Sequence, residues 1–255
     1  MKGELFKGIK QWEFDRAGEK FKMPVFYYDN TSITAIFTAS TSRVRGLLPH
    51  PGMRPIEMSP GRCMAAFTAF EYRKTDINPY NEFSIAFLVT FERPQIPGLT
   101  ALWQMARRCF TAHVWKLPVT TEIARFGGVE LYGYPKFLAE ITFERSAGQI
   151  RCDLSEKGEK ILTLEGKVLP TKKGGLSRYV TYSVLDGIPL VANVVVNPLE
   201  FAQTRDRNAA GLHLGTGHAI PETLREIRLS PHPVMYQFGP VTEAVLFAGR
   251  NMIDR

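Results

Sequence analysis

Residues 138–168 constrain the fold most, because apolar and polar side chains alternate there through three successive segments separated by short polar turns. Ile141 and Phe143 alternate with Glu140, Thr142 and Glu144; after the turn-like RSAG, Ile150, Cys152 and Leu154 alternate with Arg151 and Asp153. After SEKGEK, Leu162, Leu164 and Val168 alternate with Thr163, Glu165 and Lys167. Successive strand side chains point to opposite faces, so this period of two predicts an antiparallel meander with one buried face. SITAIFT (32–38) repeats the pattern, with Ile33, Ala35 and Phe37 on one face and Thr34, Ile36 and Thr38 on the other. FSIAFLVTF (83–91) is apolar almost throughout, as a strand covered on both faces would be. YVTYSV (179–184) and PLVANVVV (189–196) read as further strands.

Helical signals are fewer. LTALWQMARRCF (99–110) places Leu99, Leu102, Trp103, Ala106 and Phe110 on one stripe of a 3.6-residue period. VTTEIARF (119–126) starts on threonines and meets Gly127-Gly128, which predicts a helix that stops there. TSRVRGLLP (41–49) predicts one short helix ended by Pro49, and TKKGGLSR (171–178) the most flexible connection. Strands outnumber helices and do not alternate with them regularly. The expected class is therefore α+β and β-rich: a mainly antiparallel sheet or barrel with a few peripheral helices, in one domain over residues 1–255.

Charge and cysteine usage narrow the function classes. Lys and Arg outnumber Asp and Glu by 32 to 25, yet no run of five or six basic residues occurs, so a nucleic-acid partner is not expected. An anionic small molecule fits the excess better. Cys63, Cys109 and Cys152 are few, odd in number and far apart, which suits a reducing compartment and predicts a cytoplasmic protein. MKGELFKGIKQWEFD lacks the apolar stretch of a signal peptide, and IPLVANVVV (188–196) is too short to span a bilayer, so no membrane partner is expected. No phosphate-binding loop, HExxH helix or GxSxG elbow is present, and no cofactor is expected. GLHLGTGH (211–218) lacks the third glycine of a dinucleotide fingerprint and reads as a turn. His213 and His218 lie close enough to approach one another, but without the spacing of a zinc site, so no metal is expected.

The segment FGGVELYGYPKFLAEI (126–141) is different in kind. Lys136 follows Pro135 and stands among Tyr132, Tyr134, Phe137 and Leu138, entering the first strand of the meander. Only a neutral amine attacks a carbonyl, and a free lysine near pKa 10.4 is neutral in roughly one molecule in 2,500 at pH 7. Burial among aromatic groups, or a neighbouring cation, enlarges that fraction. The residues alone leave open a lysine whose stem packs on aromatics while its amine stays in water.

The string ELYGYPKFLAEI resembles the core motif of the acetoacetate decarboxylase family, whose Schiff-base lysine follows a Tyr-Pro pair. RGLLPHP (45–51), PYNEFSIAFLV (79–89) and GHAIPETLREI (217–227) are similar to further segments of that family. The resemblance implies a cone-like β-barrel with helices around it, a homo-oligomer, Lys136 as nucleophile and Glu82 as an active-site carboxylate. It further implies a lyase that decarboxylates a small, acetoacetate-like keto acid, through an iminium that accepts electrons as the carbon–carbon bond breaks. Tyr132, Tyr134 and Tyr236 are candidate substrate-pocket residues. The chain departs from the family at Phe137, where a second lysine stands, and, by rough register, at Asn30 and Phe67, near an arginine and a second glutamate. Those departures leave open aldol or dehydration chemistry on a larger oxo acid with the same lysine. A non-catalytic β-barrel that binds a small ligand is the third reading.

Overall fold

The computed structural model describes residues 4–16 and 18–253. A hairpin of β1 (Trp12–Arg16) and β2 (Glu19–Met23) precedes the long strand β3 (Val25–Ser40) and the short helix α1 (Thr41–Arg45). Two brief pieces, β4 (Met53–Pro55) and β5 (Glu57–Ser59), lead to the long strands β6 (Arg62–Thr75) and β7 (Tyr80–Phe91). Helix α2 (Leu99–Arg107) runs into β8 (Cys109–Lys116), and α3 (Glu122–Tyr132) precedes β9 (Glu140–Ser146), β10 (Gln149–Glu156) and β11 (Glu159–Lys167). The remainder is β12 (Ser177–Leu185), β13 (Ile188–Thr204), β14 (Ala210–Leu214), α4 (Ala219–Glu226), β15 (Met235–Leu246) and β16 (Arg250–Asn251).

Seven strands pair in the order β7-β8-β12-β13-β15-β3-β6, and β6 returns to β7, so the sheet closes into a barrel. All of these pairings are antiparallel except that of β8 with β12. The meander β9-β10-β11, extended by β14, forms a separate four-stranded sheet. Its expected apolar face is buried: Ile141, Ile150, Cys152, Leu154, Leu162 and Leu164 pack against Ile33, Ala35, Phe37, Phe67, Phe83 and Ile85 on the outside of the barrel. Val168 lies past the end of β11 and is exposed. The β10–β11 turn places Lys157 and Gly158 at φ of 52° and 80°, the left-handed pair that a two-residue hairpin demands.

The other face of the barrel strands points inward. Tyr27, Tyr72, Tyr80, Ala86, Val114, Ala192 and Ala244, from six different strands, meet in one cluster, which only a shared lumen permits. β2 and α3 add Phe21, Met23, Ala124 and Tyr132 at one end of it. Near the other end Ile36 and Leu88 pack on Ile56, Met64 and Ala101 of α2. Among the described residues no helix is long and apolar enough to cross a membrane.

Several elements differ from the sequence expectation. Helix α2 stops at Arg107, because Arg108 turns left-handed (φ 48°) and Cys109 and Phe110 begin β8. Its stripe does not face the core: Leu99, Leu102 and Trp103 are 60%, 55% and 53% exposed, and the helix docks through Ala101 and Gln104 instead. Helix α3 runs through Gly127-Gly128 and ends at Gly133 (φ 60°). α1 ends at Gly46, short of Pro49. Residues 171–178 are fastened along β13, with Lys172 bonded in both directions to Phe201 and the Gly174 N–H donating to Pro198. Within 211–218, the first half is strand β14, paired with β11, and only the second half turns. Helix α4 follows from no period recognised in the sequence.

Candidate active site

The lysine is placed by an extended stretch between α3 and β9, ahead of the meander strand expected to carry it. The Leu117 N–H donates to the Pro135 carbonyl (3.2 Å), the Val119 N–H to that of Phe137 (2.9 Å) and the Ala139 N–H to that of Val119 (3.0 Å). Val119 in turn bridges Glu82 at the start of β7. Along this stretch alternation sends Tyr134 to the lumen cluster and Phe137 to the outer one. Lys136 therefore faces the lumen, and its side chain is 7% exposed. The residue after it faces away, so a cation at position 137 would not share its surroundings.

Lys136 Nζ lies 2.6 Å from Glu82 Oε2, and the Glu82 side chain is 9% exposed. Two residues apart on β7, Glu82 and Tyr80 share a face, and the Tyr80 ring centroid is 5.7 Å from Nζ. Tyr72, opposite Tyr80 across the β6–β7 pair, donates its hydroxyl to Glu82 Oε1 (3.3 Å). Tyr27 closes the group, its hydroxyl 3.4 Å from that of Tyr80 and its ring 4.6 Å from that of Tyr72. Tyr134 bonds Thr181 at 2.6 Å and stacks on Tyr132, whose hydroxyl donates to the Met23 sulfur (3.5 Å). Burial first, and the Glu82 charge second, hold the phenols of Tyr27, Tyr72 and Tyr80 well above the ordinary value of 10. Burial does the same for Tyr134. The phenols are thus protonated donors at neutral pH, facing one carboxylate and one amine.

Helix α3 forms the wall behind the lysine. A Cβ at Gly128 would stand 2.3 Å from Lys136 Cδ and 2.4 Å from Cε. At Gly127 it would meet the Phe21 ring at 2.9 Å. The glycine pair is a surface that lets two side chains lie against helical backbone, which is why it does not end the helix.

Lys136, Glu82, Tyr132 and Tyr134 are thus brought together, and Tyr236 is not. On β15, Tyr236 lies with Ala35 and Ile33 in the outer cluster, fully buried, and its hydroxyl has no partner among the described residues. Asn30 pairs with Tyr72 in the sheet and spends its amide on the Thr242 carbonyl (2.9 Å), while Phe67 is buried on the outer face. Tyr27, Tyr72, Tyr80 and Gly128 escaped the sequence reading. Tyr80 was accessible to it, being two residues before Glu82 in a strand; Tyr27 and Tyr72 require the strand register.

The histidines do not converge. His213 lies 3.0 Å from Glu165, and His218 lies 3.0 Å from Glu156 while its Nδ1 caps α4. Among the described residues no group of three or more His, Cys, Asp or Glu could hold a metal ion.

A model of the family described as acetoacetate decarboxylase (ADC) matches residues 14–222. No curated protein matches the chain. Among solved structures, an acetoacetate decarboxylase from Legionella pneumophila superposes at a TM-score of 0.64 with 13% identity, covering 90% of this chain and 87% of that one. The enduracididine biosynthesis enzyme MppR, complexed with pyruvate, does so at 0.61 with 16% identity, covering 89% and 90%. An acetoacetate decarboxylase-like enzyme from Sphingomonas wittichii RW1 does so at 0.59 with 14% identity, covering 94% and 97%. At such identities the likeness is one of fold. The family match, by contrast, spans most of the sequence and takes in both the Tyr-Pro-Lys segment and the strand that bears Glu82: the chain belongs to the acetoacetate decarboxylase family.

Proposed function

We propose that this protein is a Schiff-base-forming lyase in which Lys136 condenses with the ketone of a small keto acid. The observation that carries the reading is the 2.6 Å contact between Lys136 Nζ and Glu82 in an enclosed, tyrosine-lined lumen. Glu82 takes a proton from the lysine, and the free amine attacks the carbonyl carbon. Water leaves, aided by the proton returned from Glu82, and an iminium remains. Its positive charge sits beside the Glu82 carboxylate and the π-face of Tyr80. The iminium then accepts the electron pair of a breaking carbon–carbon bond or of a departing α-proton. Membership of a family that includes acetoacetate decarboxylase supports the first outcome.

A specific observation favours the second outcome. The inward positions next to Lys136 carry Asn30, Tyr27, Tyr72, Tyr80 and Thr181, and Asn30, near which the family resemblance expects an arginine for a substrate carboxylate, spends its amide on the Thr242 carbonyl. The MppR structures complexed with pyruvate, and with a condensation product of pyruvate and an aldehyde, support an aldol or dehydration reaction on the same lysine. Free Cys63, Cys109 and Cys152 support a cytoplasmic setting. A homo-oligomer is part of the proposal, and light scattering tests it.

The experiment is reductive trapping. With pyruvate or acetoacetate and borohydride, the peptide holding Lys136 should gain the mass of the reduced adduct, and Lys136→Ala should gain none. No adduct with any keto acid, together with full activity in Lys136→Ala, ends the proposal. Carbon dioxide release measured against enone formation separates the two reactions. Binding without trapping would point to the ligand-binding reading.

A further inference from the structure

We propose, resting on the Schiff-base reading, that the lumen beyond Glu82 is a subsite for a neutral hydrogen-bonding group of the substrate, about 7 Å from the reacting carbonyl, which disfavours a second carboxylate. Antiparallel register stacks the inward side chains in rows. Glu82 lies opposite Phe70, and Phe70 opposite Ser32. Two residues further along each strand, Ser84 lies opposite Thr68, Thr68 opposite Thr34, and Thr34 opposite Gln237. The next row is apolar, with Ala86, Ala66 and Ile36. One row spans two residues of strand, roughly 7 Å.

These four polar residues sit in the middle of barrel strands and are still half-buried, whereas their neighbours Ala35, Phe67, Ile85 and Tyr236 on the outer face are fully buried. Their partial exposure leaves these side chains within reach of water. Their hydrogen-bonding capacity is largely unspent. Thr34 and Thr68 share one bond of 3.0 Å, which leaves one hydroxyl proton and several lone pairs. Among the described residues Gln237 donates only to the Met235 sulfur at 3.6 Å, and its oxygen has no partner there. No hydrogen bond from the Ser84 side chain is found among the described residues.

All four of these side chains are neutral. A hydroxyl or amide placed there exchanges its water for Thr34, Thr68, Ser84 or Gln237, whereas a carboxylate loses its water without gaining a counter-ion. The substrate that fits is an oxo acid whose distal end is an alcohol or amide, and a dicarboxylate fits poorly.

Borohydride trapping tests this with three probes of one chain length: 6-hydroxy-2-oxohexanoate, 2-oxohexanoate and 2-oxoadipate. Each forms the same bond: Nζ displaces the carbonyl oxygen as water, and borohydride delivers hydride to the iminium carbon to leave a secondary amine. Rates at low probe concentration are divided by that of pyruvate, which is too short to reach the row. The expected order is hydroxy acid, then unsubstituted acid, then diacid, with about tenfold between the first and last, and Thr34→Val/Thr68→Val removes most of the hydroxy acid's advantage. Should the double variant not fold, Ser84→Ala takes its place in the comparison. Equal rates for the three probes, or a preference for 2-oxoadipate, overturn the subsite and leave the Schiff-base reading standing. Failure of all probes and of pyruvate to trap overturns both.

Discussion

Replacing Gly128 by alanine separates the geometry of Lys136 from the stability of the fold. The added Cβ would stand 2.3 Å from Lys136 Cδ and 2.4 Å from Cε, whereas carbon atoms rest at about 3.5–4.0 Å. The helix backbone cannot retreat from a barrel it caps, so the lysine side chain moves by roughly 1 Å or more. Nζ is one bond beyond Cε, and its 2.6 Å contact with Glu82 then exceeds hydrogen-bond range. A misplacement of about 1 Å costs on the order of 100-fold in rate, or about 2.7 kcal/mol. Gly128 is interior to α3 and has no left-handed φ, so alanine there should gain up to about 1 kcal/mol of helix stability. The assay pairs a urea unfolding curve with the rate of pyruvate trapping. Gly128→Ala should still unfold in one cooperative step, its helix gain offset by the loosened buried ion pair, and trap about 100-fold more slowly. Gly127→Ala gains the same helix propensity, but its Cβ meets the Phe21 ring rather than the lysine, so its trapping rate should change far less. Parental trapping in a folded Gly128→Ala protein would refute the reasoning.

Three other outcomes follow from the same geometry. Tyr27, Tyr72, Tyr80 and Tyr134 hold their protons above pH 10 in the folded state, whereas an unfolded chain releases them near 10. The unfolded state thus binds fewer protons above pH 10, so their stabilising contribution is whole below pH 10 and shrinks above it. At pH 11 the loss is on the order of 1 kcal/mol per phenol and several kcal/mol in all; circular dichroism and tyrosinate absorbance should change together, and tyrosinate appearing at pH 10 in folded protein contradicts it. Tyr236→Phe removes a buried hydroxyl that has no partner, so unfolding should shift by no more than about 1 kcal/mol and trapping should stay at the parental rate. Phe137→Lys places an ammonium against the outer apolar cluster, and should destabilise the fold by about 2–3 kcal/mol without speeding adduct formation.

Much of this fold was legible in the order of residues. A period of two is a local property, and it gave the three meander strands and the buried face of β3 without knowledge of their partners. The Tyr-Pro-Lys string singled out Lys136 through its resemblance to the family motif, because a lysine whose stem packs on aromatic residues is by itself ordinary. Helix ends were less legible. The glycine pair at 127–128 carries the local signature of a stop, and only Phe21 and Lys136, arriving from other parts of the chain, show why the helix continues through it.

The sequence by itself determined a β-rich chain with one lysine in a recognisable family motif. Tertiary structure alone decided which tyrosines meet that lysine. Tyr72 reaches Glu82, and Tyr236 does not, because strand register and the two bulges of β15 decide which side chains turn inward. Those choices depend on pairings between residues far apart in the chain, such as Asn30 with Thr242, which are 212 positions apart. Phe137 belongs to the same class: it adjoins Lys136 in sequence, yet a strand's alternation puts the two on opposite sides of the wall.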